Sequence, residues 1–160
     1  MYLQILYMQE LTQQASKIQN QDKRLIVNTM RLANAFYESL AIKFKSFDLS
    51  AEQFNVLRIL RGQQGKPANM CLIQERMISK TSNTTRLVDK LLAKGLVTRT
   101  VCEENRRKIE VCITAKGLEL LEQIDPILAQ KEAELLSKLS SSDKEHFANQ
   151  IEHILNHFNT

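Results

Sequence analysis

Glycine and proline are scarce in this sequence, with four glycines and two prolines among 160 residues. Sandwiches and barrels need many tight turns built from these residues, so their scarcity favours a mainly helical chain. A membrane-spanning helix requires about 20 consecutive apolar residues, and no apolar run in this sequence is close to that length. The apolar start, MYLQILYMQ, has neither a preceding basic segment nor a following small-residue cleavage site of a signal peptide. We therefore expect a cytoplasmic protein.

Cysteine is also sparse, and the three residues Cys71, Cys102 and Cys112 form no CxxC pair. Their odd number argues against a disulfide framework. We interpret them as reduced, partly buried small hydrophobic residues. The alternative interpretation is that one of them is a redox-sensing thiol.

The positive charge is concentrated in one stretch. The chain carries a net charge of +4, whereas the segment from Ser79 to Lys108 alone carries +5. Its eight basic residues, set against three acidic ones, are Lys80, Arg86, Lys90, Lys94, Arg99, Arg106, Arg107 and Lys108. A basic excess confined to one segment is typical of a surface that faces nucleic-acid phosphates.

The two ends of the chain have the pattern of apolar-faced helices. Residues 1–17 have helix-like apolar spacing, and residues 22–47 predict a long helix with one apolar face. Near the other end, Thr114 is a cap for a helix over residues 115–137, which Pro126 is expected to kink or interrupt. A capping box at residues 142–145 predicts the start of the last helix. Such helices need each other, and we expect a second copy of the chain to cover them.

The central segment has the order of a winged helix-turn-helix. Ser50 and Gln53 form a capping box that opens one helix, and an extended link after Pro67 leads to a short helix over residues 72–78. A second helix is predicted for residues 82–94, with Gly95 as its left-handed C-cap. From Leu96 the apolar period changes to two, which indicates a two-stranded hairpin with a charged tip. A module of this order places its second helix in the DNA major groove.

The start of that second helix carries the candidate DNA-binding residues. Small polar side chains at a helix N-terminus accompany free backbone amides that favour phosphate, and the basic side chains reach guanine edges or phosphates. The hairpin tip adds two guanidinium groups on a narrow shape that fits a minor groove. Each group taken alone has an alternative explanation. The small polar side chains can simply cap a helix, and the basic side chains can simply lie on a solvated surface. The candidates are Thr81, Ser82, Asn83, Thr85, Arg86, Lys90, Arg106 and Arg107.

The chain resembles the MarR family of bacterial transcription regulators over most of its length. The resemblance is carried by fragments that are weak singly but specific in this order: LSAEQFNVL at 49–57, TRLVDKL at 85–91, KGLV at 94–97, NRR at 105–107 and ITAKG at 113–117.

This resemblance implies an obligate homodimer that binds a palindromic operator, usually as a repressor, and that is released by a small ligand or by oxidation. It assigns recognition-helix contacts to Thr85, Arg86 and Lys90, and minor-groove contact to Arg107. Asn105 departs from the family, which usually has Asp there, and an amide lacks the charge-assisted bond of a carboxylate to arginine. The turn ISKT at 78–81 also lacks a glycine.

The resulting hypothesis is one MarR-like domain over residues 1–160, mainly α with a small β-wing. Residues 48–114 would form the winged helix-turn-helix, and residues 1–47 and 115–160 the dimerisation helices. We expect no enzymatic activity and no cofactor, because neither a glycine-rich phosphate loop nor a nucleophile or metal-hydrolase motif is present. Double-stranded DNA, a second copy and a small-molecule effector are the expected partners.

Three alternatives stay open. The chain could be a helical dimer that acts through protein contacts and carries a non-functional winged module. It could be a thiol-responsive regulator, although no cysteine lies in the first long helix, where oxidation-sensing relatives carry theirs. It could respond to a metal, because His153 and His157 have ligand spacing with His146 further back, but surface histidines are the simpler interpretation.

Overall fold

The computed structural model describes residues 2–101 and 109–158, and the side chains of residues 20–101 and 109–157. In chain order the elements are α1 Tyr2–Ser46, α2 Ala51–Arg61, β1 Ala68–Asn69, α3 Met70–Arg76, α4 Thr84–Ala93, β2 Val97–Val101, β3 Ile109–Ile113, α5 Ala115–Leu135 and α6 Ser141–Phe158. Helices and a small antiparallel sheet of order β1-β3-β2 confirm the predicted mainly helical fold with a β-wing. Within the described ranges, no helix combines the length and apolar character needed to cross a membrane.

The chain divides into two compact units, Met1–Ile42 and Lys43–Thr160. The first unit consists of most of α1, a single helix where the sequence predicted two separate helical segments. No glycine or proline occurs in its span, so nothing in the sequence ends the helix between them. Its apolar side chains include Leu25, Ile26 and Met30, whose exposed fractions are 53%, 60% and 68%.

The second unit has its core where α2, α3, α4, the sheet and α5 meet. The largest fully buried side chains there are Leu57, Leu60, Ile73, Met77, Leu91, Leu121, Val56, Val88, Val97 and Val111. The predicted capping box of α2 is confirmed, with Ser50 accepting from the Gln53 backbone and the Gln53 side chain accepting from the Ser50 backbone. The strand β1 was not predicted: Ala68 pairs with Val111, so the expected extended link adds a third strand to the hairpin.

The start of α5 is fixed against the end of α4. Thr114 caps α5 as predicted, and its hydroxyl also donates to the carbonyl oxygen of Gly95 at 2.9 Å. Gly117 lies so close to the preceding turn that a β-carbon there would be 2.4 Å from the carbonyl oxygen of Leu96. Only glycine fits at this position, where the start of α5 packs against the residue before β2. The helix continues through Pro126, where an interruption was one of the predicted outcomes.

The cap of α6 differs from the prediction. The sequence suggested a capping box from Ser142 to Glu145, but Ser140 and Asp143 form the reciprocal pair instead. The Ser140 hydroxyl accepts from the Asp143 backbone at 3.1 Å, and the Asp143 carboxylate accepts from the Ser140 backbone at 3.2 Å. Three consecutive serines precede the aspartate, so sequence spacing alone did not distinguish the cap.

Candidate nucleic-acid interface

Helix α4 has one buried face and one free face. Its N-cap is Asn83, whose side-chain oxygen accepts from the backbone of Arg86 at 3.1 Å. The side chains of Thr84, Val88 and Leu91 are buried, as expected from their spacing of one helical face. The opposite face exposes three of the predicted site residues, Thr85, Arg86 and Lys90. Of the three others in this region, Thr81 and Asn83 are exposed and Ser82 is half-buried.

The basic residues around α4 divide into paired and unpaired groups. Arg99 in β2 forms an ion pair with Asp89 at 2.9 Å, and Lys94 forms one with Asp48, also at 2.9 Å. Within the described ranges, Arg86 and Lys90 have neither an ion pair nor a side-chain hydrogen bond. Their charges are therefore available for an external anion, whereas those of Arg99 and Lys94 are partly neutralised.

Polar side chains from the preceding helices build the turn before α4, which lacks a glycine. The amide nitrogen of Gln74 donates to the Lys80 carbonyl oxygen at 2.7 Å, and its amide oxygen accepts from the buried Thr84 hydroxyl. Asn55 accepts from the backbone of Ile78 at 2.9 Å. These bonds satisfy backbone groups of the turn and attach it to α2, α3 and α4, which fixes the helix that carries Arg86.

The sequence did not reveal these positioning residues. Gln74 and Asn55 lie on amphipathic helices where a polar residue is normally read as part of the solvent-facing side. A polar residue on the inward side of its helix is the signal that could have suggested such a role.

An open hollow of about 380 Å³ adjoins the free face of α4. It is lined by residues from the N-terminus of α2 and from α4, namely Ser50, Glu52, Ser82, Asn83, Arg86, Leu87 and Lys90. Four of the predicted site residues thus border one surface depression, Ser82, Asn83, Arg86 and Lys90. This surface combines helix N-termini, hydroxyl groups and two free cations, which is the donor chemistry that contacts phosphates and base edges. Glu52 adds one opposing carboxylate.

The wing strands are present, but the predicted tip is outside the described residues. Strands β2 and β3 pair from Val97 with Ile113 to Val101 with Ile109. Arg106 and Arg107, which were predicted to enter the minor groove, lie outside the described residues, as does Asn105. The base of the hairpin is anchored in the core by the buried Val97 and Val111.

The cysteine and histidine alternatives gain no geometric support. Cys71 is exposed and Cys112 is half-buried, and both are free thiols, whereas Cys102 falls outside the described residues. The rings of His153 and His157 are 6.0 Å apart between centroids. Among the residues that the structure describes, no group of three potential His, Cys, Asp or Glu ligands comes together.

Comparison with known proteins gives a family match and several similar proteins. Residues 49–109 match the sequence model of the MarR family. The HTH-type transcriptional regulator PecS from Dickeya dadantii is 28% identical over 126 residues, which cover 76% of this chain and 75% of PecS. A MarR transcription factor from Planctomyces limnophilus is 30% identical with a TM-score of 0.65, over 82% of this chain and 95% of that one.

A third similar protein was crystallised with DNA. It is a mutant of MarR from E. coli in complex with operator DNA, which has a TM-score of 0.72 and 22% identity, over 82% of this chain and 91% of that one. This likeness concerns the fold. The family match, by contrast, begins at Leu49 and includes α2, α3, α4 and β2, the elements that build and position the free face of α4.

Proposed function

The chain belongs to the MarR family of transcriptional regulators, and from this premise we propose that it binds double-stranded DNA through the exposed face of α4. The family is one of regulators and not of enzymes. The observation that carries the proposal is the contrast within one helix: Arg86 and Lys90 are exposed and have no partner in the described part of the chain, while Asp89 is held by Arg99. The E. coli relative was crystallised with operator DNA, which supports the proposal that this chain binds DNA.

Each candidate residue has a distinct role in the proposed complex. Arg86 reads a base edge in the major groove, and Lys90 neutralises a backbone phosphate one helical turn further along. Ser82, Asn83 and Thr85 position the helix N-terminus on the backbone. Arg106 and Arg107 at the wing tip contact the adjacent minor groove, where Arg107 senses groove width.

The proposed active form is a homodimer that acts as a repressor on a palindromic operator in the cytoplasm. Residues 48–114 supply the DNA-binding module and residues 1–47 and 115–160 the dimerisation helices. Exposed apolar side chains of the end helices support this, because Met30, Ile154 and Leu155 are 68%, 46% and 53% exposed in the single chain. Two copies place two recognition helices on half-sites about one helical turn apart, ~34–36 Å.

A small-molecule effector is the proposed signal. Binding of the effector would change the distance between the two recognition helices, so that they no longer match the half-site spacing. The operator would then be released.

The test is the Arg86→Ala variant in gel-shift titrations with an operator selected from genomic DNA. Loss of a bidentate arginine contact should cost about 1–3 kcal/mol and should relax the base preference at one position in each half-site. Lys138→Ala, which changes an exposed lysine of the loop between α5 and α6, is the matched control and should bind normally. Unchanged affinity of Arg86→Ala on every operator variant would refute the role of α4. It would favour a dimer that acts through protein contacts.

A further inference from the structure

One carboxylate lies on the surface that is proposed to face DNA. Glu52, in the first turn of α2, lines the hollow at the free face of α4 together with Arg86 and Lys90. The residue is exposed, and within the described ranges its side chain has neither an ion pair nor a hydrogen bond. An unpaired carboxylate repels DNA phosphates, so its place beside two free cations needs an explanation.

The other carboxylates around α4 differ from Glu52 in being paired. Asp89 forms its ion pair with Arg99 at 2.9 Å, and Asp48 forms one with Lys94 at 2.9 Å. Each partner cation offsets the field of its carboxylate, so these two groups repel an approaching phosphate less than a free carboxylate does. Glu52 therefore contributes an uncompensated negative charge at the place where DNA is proposed to bind.

An acidic residue at this position also has a purely structural role. The N-terminus of α2 carries a partial positive charge that attracts the carboxylate of Glu52. The reciprocal cap of this helix does not involve Glu52, because it is formed by Ser50 and Gln53 at 2.9 and 3.2 Å. A residue that only stabilises α2 affects complexes with all DNA sequences equally. A structural role thus predicts no change in sequence preference.

We propose that Glu52 is a specificity-determining residue, which weakens binding to DNA without the operator sequence by repelling phosphates from the free face of α4. This inference rests on the proposed function. On the operator, Arg86 donates to O6 and N7 of a guanine, which carry no formal charge, so the carboxylate stays beside an arginine that no phosphate neutralises.

On other DNA, the position of the carboxylate becomes unfavourable. Binding there depends on backbone phosphates, so Arg86 turns to a phosphate and Glu52 then lies next to a second anion. Like charges in close approach suppress binding to the wrong partner. The carboxylate therefore makes the non-operator complex less stable and leaves the operator complex nearly unchanged.

The test is the Glu52→Gln variant, which removes the charge and keeps nearly the same shape. Fluorescence anisotropy measures affinity for the operator selected from genomic DNA and for a shuffled duplex of equal length and composition. Affinity for the shuffled duplex should rise about tenfold, since each of two subunits loses a like-charge contact that is worth about fivefold at ~4 Å in water before salt screening. Operator affinity should change less than about twofold. Equal changes on both duplexes, or no change on either, would overturn the proposal.

Three further variants separate the position of the charge from its other effects. Glu52→Asp keeps the charge and should keep the wild-type preference for the operator. Glu145→Gln changes the net charge equally at an exposed residue of α6 and should also keep it. Glu75→Gln removes an exposed carboxylate of α3 that lines a different hollow, without Arg86 or Lys90, and should have a smaller effect than Glu52→Gln. A loss of preference in any of the three as large as in Glu52→Gln would overturn the proposal.

The salt dependence gives a readout that a structural role would not change. On the shuffled duplex, the slope for Glu52→Gln should be steeper by about 2, because one further phosphate is neutralised in each of two subunits. On the operator the slope should stay at the wild-type value. Equal slopes of variant and wild type on the shuffled duplex would overturn the repulsion of phosphates alone. A wild-type protein that binds neither duplex would overturn the proposed function, and this inference with it.

Discussion

Helices α4 and α6 are both amphipathic, but only α4 buries its apolar face within the chain. Leu91 of α4 is fully buried and Val88 is 1% exposed, whereas Phe147, Ile154 and Leu155 of α6 are 37%, 46% and 53% exposed. No side chain of residues 141–157 is buried. The comparison shows that the apolar face of α4 is covered by other elements of the same chain, whereas within the described residues nothing covers the apolar face of α6. We expect a second copy to cover it.

The largest expected effect is on the stability of the protein and comes from removing a buried side chain of α4. Leu91→Ala removes a fully buried side chain and should lower the free energy of unfolding by about 2–5 kcal/mol, because a cavity remains in the packed core. Chemical denaturation monitored by circular dichroism measures it. Leu92→Ala changes the neighbouring residue, which is 40% exposed, and should stay within about 0.5 kcal/mol of the wild type. Similar losses in both variants would contradict the assignment of the two faces.

A smaller effect is expected at the exposed face of α6. Leu155→Glu places a charge on the apolar face of α6. Burying a leucine contributes about 1.5–3 kcal/mol, so the free energy of dimerisation should become less favourable by at least that amount. Sedimentation analysis over a range of concentrations measures the dissociation constant. Asn149→Glu introduces the same charge on the opposite side of the helix and should leave the dimer intact. A Leu155→Glu protein that dimerises as tightly as Asn149→Glu would show that α6 does not pair with a second copy.

The smallest effect concerns the cap of α6. The hydroxyl and then the backbone N–H of Ser140 hold the pKa of the Asp143 carboxyl below its ordinary value. Since the pKa is lowered in the folded state, the cap stabilises the helix above the ordinary value, about 3.9, and this contribution is lost as the pH falls through the lowered pKa. Ser140→Ala should raise the pKa of Asp143 in an NMR titration, and Ser142→Ala should leave it in place. An unchanged pKa of Asp143 in Ser140→Ala would contradict this cap.

Sequence patterns predicted those parts of the fold that depend on local chemistry. The capping box at Ser50, the cap at Thr114 and the left-handed residue Gly95 are each encoded within a few residues, and all three are confirmed. The buried face of α4 followed from a helical period. The family followed from short fragments in a fixed order, which the match over residues 49–109 confirms.

The features that escaped prediction depend on contacts between distant segments. Strand β1 has two residues and exists because Ala68 meets Val111, a partner more than forty positions away. The bonds of Gln74 to the turn and to Thr84, and the ion pair between Lys94 and Asp48, likewise join separate elements. These contacts decide which cations of the basic stretch are free, so composition located the charged surface but could not identify its unpaired members.

The most direct test of the account is the salt dependence of operator affinity. The logarithm of the association constant should fall linearly with the logarithm of salt concentration, with a slope of about −0.9 for each neutralised phosphate. Lys90→Gln removes one proposed phosphate contact from each of two subunits, so its slope should be less steep by about 2. Lys138→Gln serves as the control and should keep the wild-type slope. Parallel lines for Lys90→Gln and the wild type would contradict the claim that the exposed face of α4 lies on DNA.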